Sequence, residues 1–360
     1  MQHILHARLL RSWCTRLFSS DRIIIVFSVF GTILIVFRFF YHVFSGSNTY
    51  VTLVEDDALY YIVTAKHIVN SGLSTFDGYT LTNGYHPLWM CVIVSLVYLF
   101  GSGATLFAAI GVVCGLCFFL TGIWTDNLSR LLFERSILRV PMVLIALYFS
   151  LRLICEGMEV TILLPLLLYT VIFVITHEGS KNTKDTVVSG VLCSAVILAR
   201  LDAVLFVVQL LLLVVMRSSV TVAARIRTAA WLLFGLLPLA VFLCWNRYTY
   251  GTFATVSSLA KQQVLQFSVN WRYLYDLWET PEGKVGSFLI IPALLLLVCS
   301  ARLRSRYRSR PEILLLLLLP CILSAVVMLR SSWVLFPWYL YSLPLAMLCA
   351  GMVCSDWLFE

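Results

Sequence analysis

Charge is what this chain has least of. Asp, Glu, Lys and Arg make up 12% of its 360 residues while 61% are hydrophobic, too few polar side chains to coat a soluble domain of this length. It holds no internal repeat and no low-complexity linker beyond the arginine-rich stretch ARLRSRYRSR at 301–310, which excludes a solenoid. A disulfide scaffold is excluded too. The eleven cysteines show no paired extracellular framework, and Cys114, Cys117, Cys193, Cys244, Cys321 and Cys349 lie inside apolar runs, where a small polarisable side chain packs well. Cys114 and Cys117 spell CxxC, but inside a membrane span that pair reads as packing, not as redox or metal chemistry. No small-residue cleavage site follows the first apolar run, roughly 22–44, so that run is expected to stay as an anchor.

What is abundant is apolar sequence in runs long enough to cross hydrocarbon as helices. The expected fold class is an all-α polytopic membrane protein, one transmembrane domain over 1–360 with no carboxy-terminal soluble domain. The net charge of +8 does not signal nucleic acid, because the basic residues sit in short segments between apolar runs. Segments 1–22, 126–139, 177–186, 217–227 and 301–310 hold 17 of the 26 Lys and Arg residues and are placed on the cytosolic side. The segments 45–85, 152–158, 200–202, 247–285 and 330–334 then face outward, and they carry every residue of chemical interest. Crossings are expected near 23–44, 104–124, 138–152, 159–176, 187–199, 203–216, 229–246, 286–300, 312–329 and 335–354, with both ends inside. The run 86–101 has no crossing in that scheme: either it is re-entrant or interfacial, or 126–139 lies on the other side. The short pair 187–199 and 203–216 reads as a hairpin with Arg200-Leu201-Asp202 at its outer tip.

The first outer stretch opens on Glu55-Asp56-Asp57. Three acids beside a bilayer need water, a helix N-terminus, a cation or a substrate to stabilise them. From Glu55 to Asn70 apolar residues recur at helical spacing, with Asp57, Lys66, His67 and Asn70 polar, so the segment reads as an amphipathic helix lying on the outer surface. Gly72 is its expected C-terminal stop, and the acids occupy its first turn. Gly72, Gly78 and Gly84 then supply turns in an ordered loop that leads to His86 and a helix start at Pro87.

These residues resemble a known family, the integral-membrane C-type (GT-C) glycosyltransferases that use a polyprenyl-phosphate sugar, similar to bacterial protein mannosyltransferases and lipid-A and arabinan glycosyltransferases. The matching residues are Asp56-Asp57, Tyr60-Tyr61, Thr82-Asn83-Gly84-Tyr85-His86-Pro87-Leu88-Trp89, Gly157-Met158-Glu159, Ala199-Arg200-Leu201-Asp202, Asn246-Arg247-Tyr248 with Tyr250-Gly251-Thr252, Ser257 to Lys261, and Trp338-Tyr339. The sequence departs from the family at Phe253, where a proline is expected after Gly-Thr, and in stopping at 360 without the carboxy-terminal soluble domain of many members.

The resemblance implies a GT-C-like bundle of about 10–11 membrane segments. It implies sugar transfer, with inversion, from a lipid phosphate to a hydroxyl of a glycan, lipid or protein acceptor. Asp56 is then the general base, with Asp57 orienting it or binding sugar or metal. Lys261, which matches the family's loop lysine, would meet the leaving phosphate, with Arg200 and Arg247 as further cations. His86, Asp202, Glu159, Tyr60 and Tyr85 complete the expected substrate contacts; for Arg200 with Asp202 a structural ion pair is equally open, Glu159 poses the same choice, and Arg152 with Glu156, four apart, reads as a structural ion pair. A divalent cation (Mg²⁺, Mn²⁺ or Ca²⁺) on Asp56 and Asp57 is left open, since some members work without one. The expected partners are the lipid donor, its acceptor and membrane lipids, without nucleic acid. The expected location is the bacterial inner membrane with the site facing the periplasm or exterior, or the ER membrane in a eukaryote. The rival reading is a transporter or flippase of lipid-linked sugars, which predicts related halves that this sequence does not show.

Overall fold

The computed structural model describes residues 22–45, 48–132, 138–177, 182–217, 221–257, 271–307, 313–314, 316–318, 321–322 and 340–359. Among them the secondary structure is helical, with a lone antiparallel bridge between Thr75 and Leu81. In chain order the helices are α1 (Arg22–Phe44), α2 (Asp56–Ser71), α3 (Pro87–Phe100), α4 (Ala104–Leu132), α5 (Arg139–Ile154), α6 (Val160–Thr176), α7 (Thr183–Ala199), α8 (Val204–Arg217), α9 (Val222–Gly235), α10 (Leu237–Tyr250), α11 (Trp271–Glu279), α12 (Pro281–Cys299), α13 (Ala301–Tyr307) and α14 (Leu343–Phe359). Lys261 and the basic residues before Arg22 lie outside the described residues, as do most of the expected crossing at 312–329 and the loop at 330–334.

The pairing of α1 with α4 sets the topology. Phe39, late in α1, packs on Gly111, early in α4, while Ser28 packs on Gly122, so the two helices run antiparallel. A Cβ at Gly111 or Gly122 would occupy the space those side chains fill, so small residues are what allow the close approach. Helix α4 therefore starts at the end of the bundle where α1 finishes. Helix α3 begins in the loop at that end and is joined to α4 by three residues, Gly101 to Gly103. It makes no net crossing. Its 14 residues, about 21 Å of helix, bury Trp89, Met90, Ile93 and Val97 and return the chain to the side it left. That resolves the ambiguity at 86–101 and keeps 126–139 at the end opposite the acidic triplet.

By length and composition three described helices, α1, α4 and α12, can cross a membrane, and α9 with α10 makes a fourth if the bent pair counts as one span. The expected crossing at 229–246 is thus a broken helix: α9 and α10 meet at Leu236 with a bend of 53°, next to Pro238. Several other expected crossings correspond to apolar helices below 18 residues, among them α6 and α14.

The amphipathic helix forms where the periodicity predicts it. It spans Asp56–Ser71 and buries Ala58, Tyr61, Ile62, Thr64 and Ala65. It ends at Gly72, whose φ of 72° closes the last turn in the left-handed region that glycine enters without strain. A second surface helix was not foreseen: α11 exposes Trp271, Tyr275 and Trp278 at i, i+4 and i+7, an aromatic stripe suited to a bilayer interface.

Candidate active site

Three of the polar segments meet at one end of the bundle. Glu159, 1% exposed, caps the start of α6, and its Oε1 accepts from Arg200 Nη1 at 2.6 Å. Arg200 ends α7 at the hairpin tip, and its Nε donates to Asp202 Oδ1 at 2.8 Å across the one-turn 3-10 helix Leu201–Ala203. Its guanidinium lies over the Tyr341 ring, 5.1 Å from the centroid. Burial alone would favour the neutral form of Arg200, but Asp202 and Glu159 outweigh it and hold the pKa above its ordinary value. The hairpin tip is as expected, and Arg200 has both acids as partners.

The first outer loop joins this cluster through two residues. Tyr61, on α2, donates its hydroxyl proton to Glu159 Oε2 at 3.3 Å and accepts the backbone N–H of His86 at 3.0 Å. Burial, then the charge of Glu159, pushes the Tyr61 phenol well above its ordinary range, so it remains a donor. His86 Nδ1 accepts the backbone N–H of Leu201 at 3.1 Å, which places its ring proton on Nε2, 3.7 Å from Glu159 Oε1. Tyr61 and Tyr341 were absent from the sequence-derived site. The signal for Tyr61 was present, since it lies four residues after Asp57 and so on the same face of α2.

Asp56 and Asp57 are exposed in the first turn of α2, after Glu55 in extended backbone. By the same spacing Asp56 shares a face with Tyr60, whose hydroxyl bonds Thr82 Oγ1 at 2.7 Å and whose ring stacks on Phe76. Tyr85 is buried, with its hydroxyl 2.8 Å from Ser74 Oγ. Both tyrosines therefore hold the loop together. Asp77 adds to that order: the backbone N–H groups of Thr80 and Tyr79 bind its carboxylate and hold its pKa well below the usual range. Arg247 does not join the cluster; it caps the end of α10 by donating to Gly251 O.

A second acidic group sits beside the first. The backbone N–H of Glu55 donates to Glu156 O at 3.3 Å, and the Glu156 side chain has a buried oxygen without a hydrogen-bond partner among the described residues. Its pKa is pushed up to about 8 by burial, then by Glu55, Glu282 and Glu159, against Arg152. The expected pair of Arg152 with Glu156 is not formed. Helix α5 stops at Ile154, so the i,i+4 register is lost, and Arg152 instead bonds the buried Glu282 of α12 at 2.8 Å. Among the described residues no three His, Cys, Asp or Glu side chains group as a metal cage. A cation on Asp56 and Asp57 would draw its other oxygens from water or substrate.

No family model matches the chain, and neither does any curated protein. Two solved structures are similar to it. The chain shares the ArnT fold. ArnT from Cupriavidus metallidurans in the apo state matches at TM-score 0.57 and 16% identity, covering 84% of this chain and 55% of ArnT. The same protein bound to undecaprenyl phosphate matches at TM-score 0.58 and 14% identity, covering 93% and 60%. The chain thus spans somewhat over half the length of ArnT.

Proposed function

We propose that this chain is a GT-C glycosyltransferase that moves a sugar from a polyprenyl-phosphate donor to an acceptor hydroxyl, inverting the anomeric carbon, at the acidic end of the bundle. The observation that carries the reading is the assembly of buried Glu159, Arg200 and Tyr61 with the half-buried His86, linked to the helix that presents Asp56 and Asp57. It is supported by the fold shared with ArnT, one structure of which holds undecaprenyl phosphate. The basic segments at the other end of the bundle argue that the site faces away from the cytosol.

In this reading Asp56 accepts the proton of the acceptor hydroxyl as the new bond forms, and Asp57 orients it or contacts the sugar. Glu159 and Arg200 are too enclosed to meet substrate and act as the base on which the site is built. Asp202 is different: its side chain is 38% exposed while one oxygen is pinned by Arg200, which suits it to a sugar hydroxyl. With Arg200 committed to two carboxylates, the charge developing on the leaving phosphate falls to Lys261. Catalysis needs no metal in this scheme, though Mg²⁺, Mn²⁺ or Ca²⁺ on the aspartates would add charge stabilisation. The test is to supply purified protein in lipid with a panel of radiolabelled polyprenyl-phosphate sugars together with glycan, lipid and protein hydroxyl acceptors. Release of label from one of them supports the reading; retention of label on all of them, with and without divalent cation, opposes it.

A further inference from the structure

The turn Thr82–Gly84 touches the second outer segment at three points. Tyr250 donates its hydroxyl proton to Thr82 O at 3.2 Å, and the backbone N–H of Val256 donates to Asn83 Oδ1 at 2.8 Å. A Cβ on Gly84 would stand 3.1 Å from the Tyr60 hydroxyl and 3.6 Å from Ser257 N, so the two segments close against each other there. Asn83 is fully buried, yet among the described residues its Nδ2 has no hydrogen-bond partner. Burying an amide with an idle donor is costly, so the half of the amide in use must repay it. The used half is the oxygen that holds Val256. Thr82 is in turn bonded to Tyr60, one helical turn beyond Asp56.

We propose that Asn83 is a positioning residue: its side-chain oxygen docks the second outer segment onto the turn that rests on the Asp56 helix. It touches no reacting atom. Its effect on transfer rests on the function proposed above, but its docking role is measurable without activity.

The experiment compares Asn83→Leu, which removes the acceptor, with Asn83→Asp, which keeps an oxygen in place. Trypsin cleavage after Lys261, five residues beyond Val256 in sequence, reports release of the segment, and cleavage after Lys181, in the basic segment 177–186 of the sequence, reports general opening. Loss of the bond to Val256 N–H, with a bulky apolar side chain in the place of the acceptor, should raise the ratio of Lys261 to Lys181 cleavage about tenfold in Asn83→Leu. Asn83→Asp should stay within about threefold of wild type. If Asn83→Leu opens both sites together, Tyr250→Phe decides by the same ratio, with a rise of about threefold expected. An unchanged ratio in the deciding variant, or equal rises in Asn83→Leu and Asn83→Asp, overturns the proposal. In transfer assays the docking defect should appear as a higher donor KM with kcat largely kept, rescued by Asn83→Asp. A wild-type protein that moves no sugar would sink the function and leave the cleavage result to stand alone.

Discussion

The two ends of the bundle carry mirror-image charge clusters. At the basic end one acid serves two arginines: Asp126 accepts from Arg130 at 2.9 Å and from Arg139 at 2.6 Å. At the acidic end one arginine serves two acids, Arg200 with Glu159 at 2.6 Å and Asp202 at 2.8 Å. The basic cluster is local, its members 4 and 13 residues apart, and all three side chains are 11–21% exposed. The acidic cluster joins Glu159 and Arg200, 41 residues apart, and grades from that sealed root, both at 2%, to an open tip, Asp202 at 38%. The first is a staple between adjacent helices. The second has the form of a site: a rigid, desolvated base that fixes one accessible carboxylate.

The sharpest way to break that contrast is to remove an arginine from each cluster. Arg200→Ala strands two carboxylates, one of them buried, and should cost about 3–5 kcal/mol of stability by thermal unfolding in detergent. Next in size is a pH effect confined to the acidic end. Glu156 is held in its protonated form when folded and loses its proton at ordinary carboxylate pH when unfolded. The folded state therefore binds more protons between the ordinary carboxylate pKa and about 8, and stability must fall as pH rises through that window. Glu156→Gln should abolish the slope and gain on the order of 1–2 kcal/mol at pH 9, with little change at pH 5. A wild-type stability flat from pH 5 to 9 would contradict the assignment.

Asp202→Asn tests the open tip. It should reduce transfer about tenfold, chiefly through KM, with stability changed by under about 1 kcal/mol because the side chain is partly solvated. The smallest effect belongs to the staple. Arg130→Ala should cost no more than about 1 kcal/mol and leave transfer untouched, since Arg139 still holds Asp126. If Arg130→Ala proved as damaging as Arg200→Ala, the distinction between staple and site would collapse.

The difference between the ends also explains what the sequence could and could not reveal. Helix Asp56–Ser71 and its glycine stop were legible because amphipathic spacing and a left-handed cap are local signals. The Arg200-Asp202 tip was legible because charges two residues apart interrupt an apolar hairpin. Partners distant in sequence were not legible. The i,i+4 spacing of Arg152 and Glu156 suggested a pair, but spacing presumes an unbroken helix, and nothing in the sequence joins Arg152 to Glu282. His86 was placed as a substrate contact because the resemblance implied it; only the fold brings Leu201 N–H to Nδ1. Tyr60 and Tyr85 were chosen for the site over Tyr61, yet it is Tyr61 whose hydroxyl reaches Glu159. The run 86–101 stayed ambiguous because no flanking charge marks its sidedness, and the antiparallel packing of α1 on α4 decides it.

The central claim is that the exposed acid at the start of α2 takes a proton from an acceptor hydroxyl. Asp56→Asn keeps the shape and removes the base, so the direct measurement is the initial rate of sugar release from the lipid donor by this variant and wild type, both folded to the same melting temperature. The account predicts a fall of about 10²- to 10⁴-fold with donor binding retained. Release at the wild-type rate would contradict it.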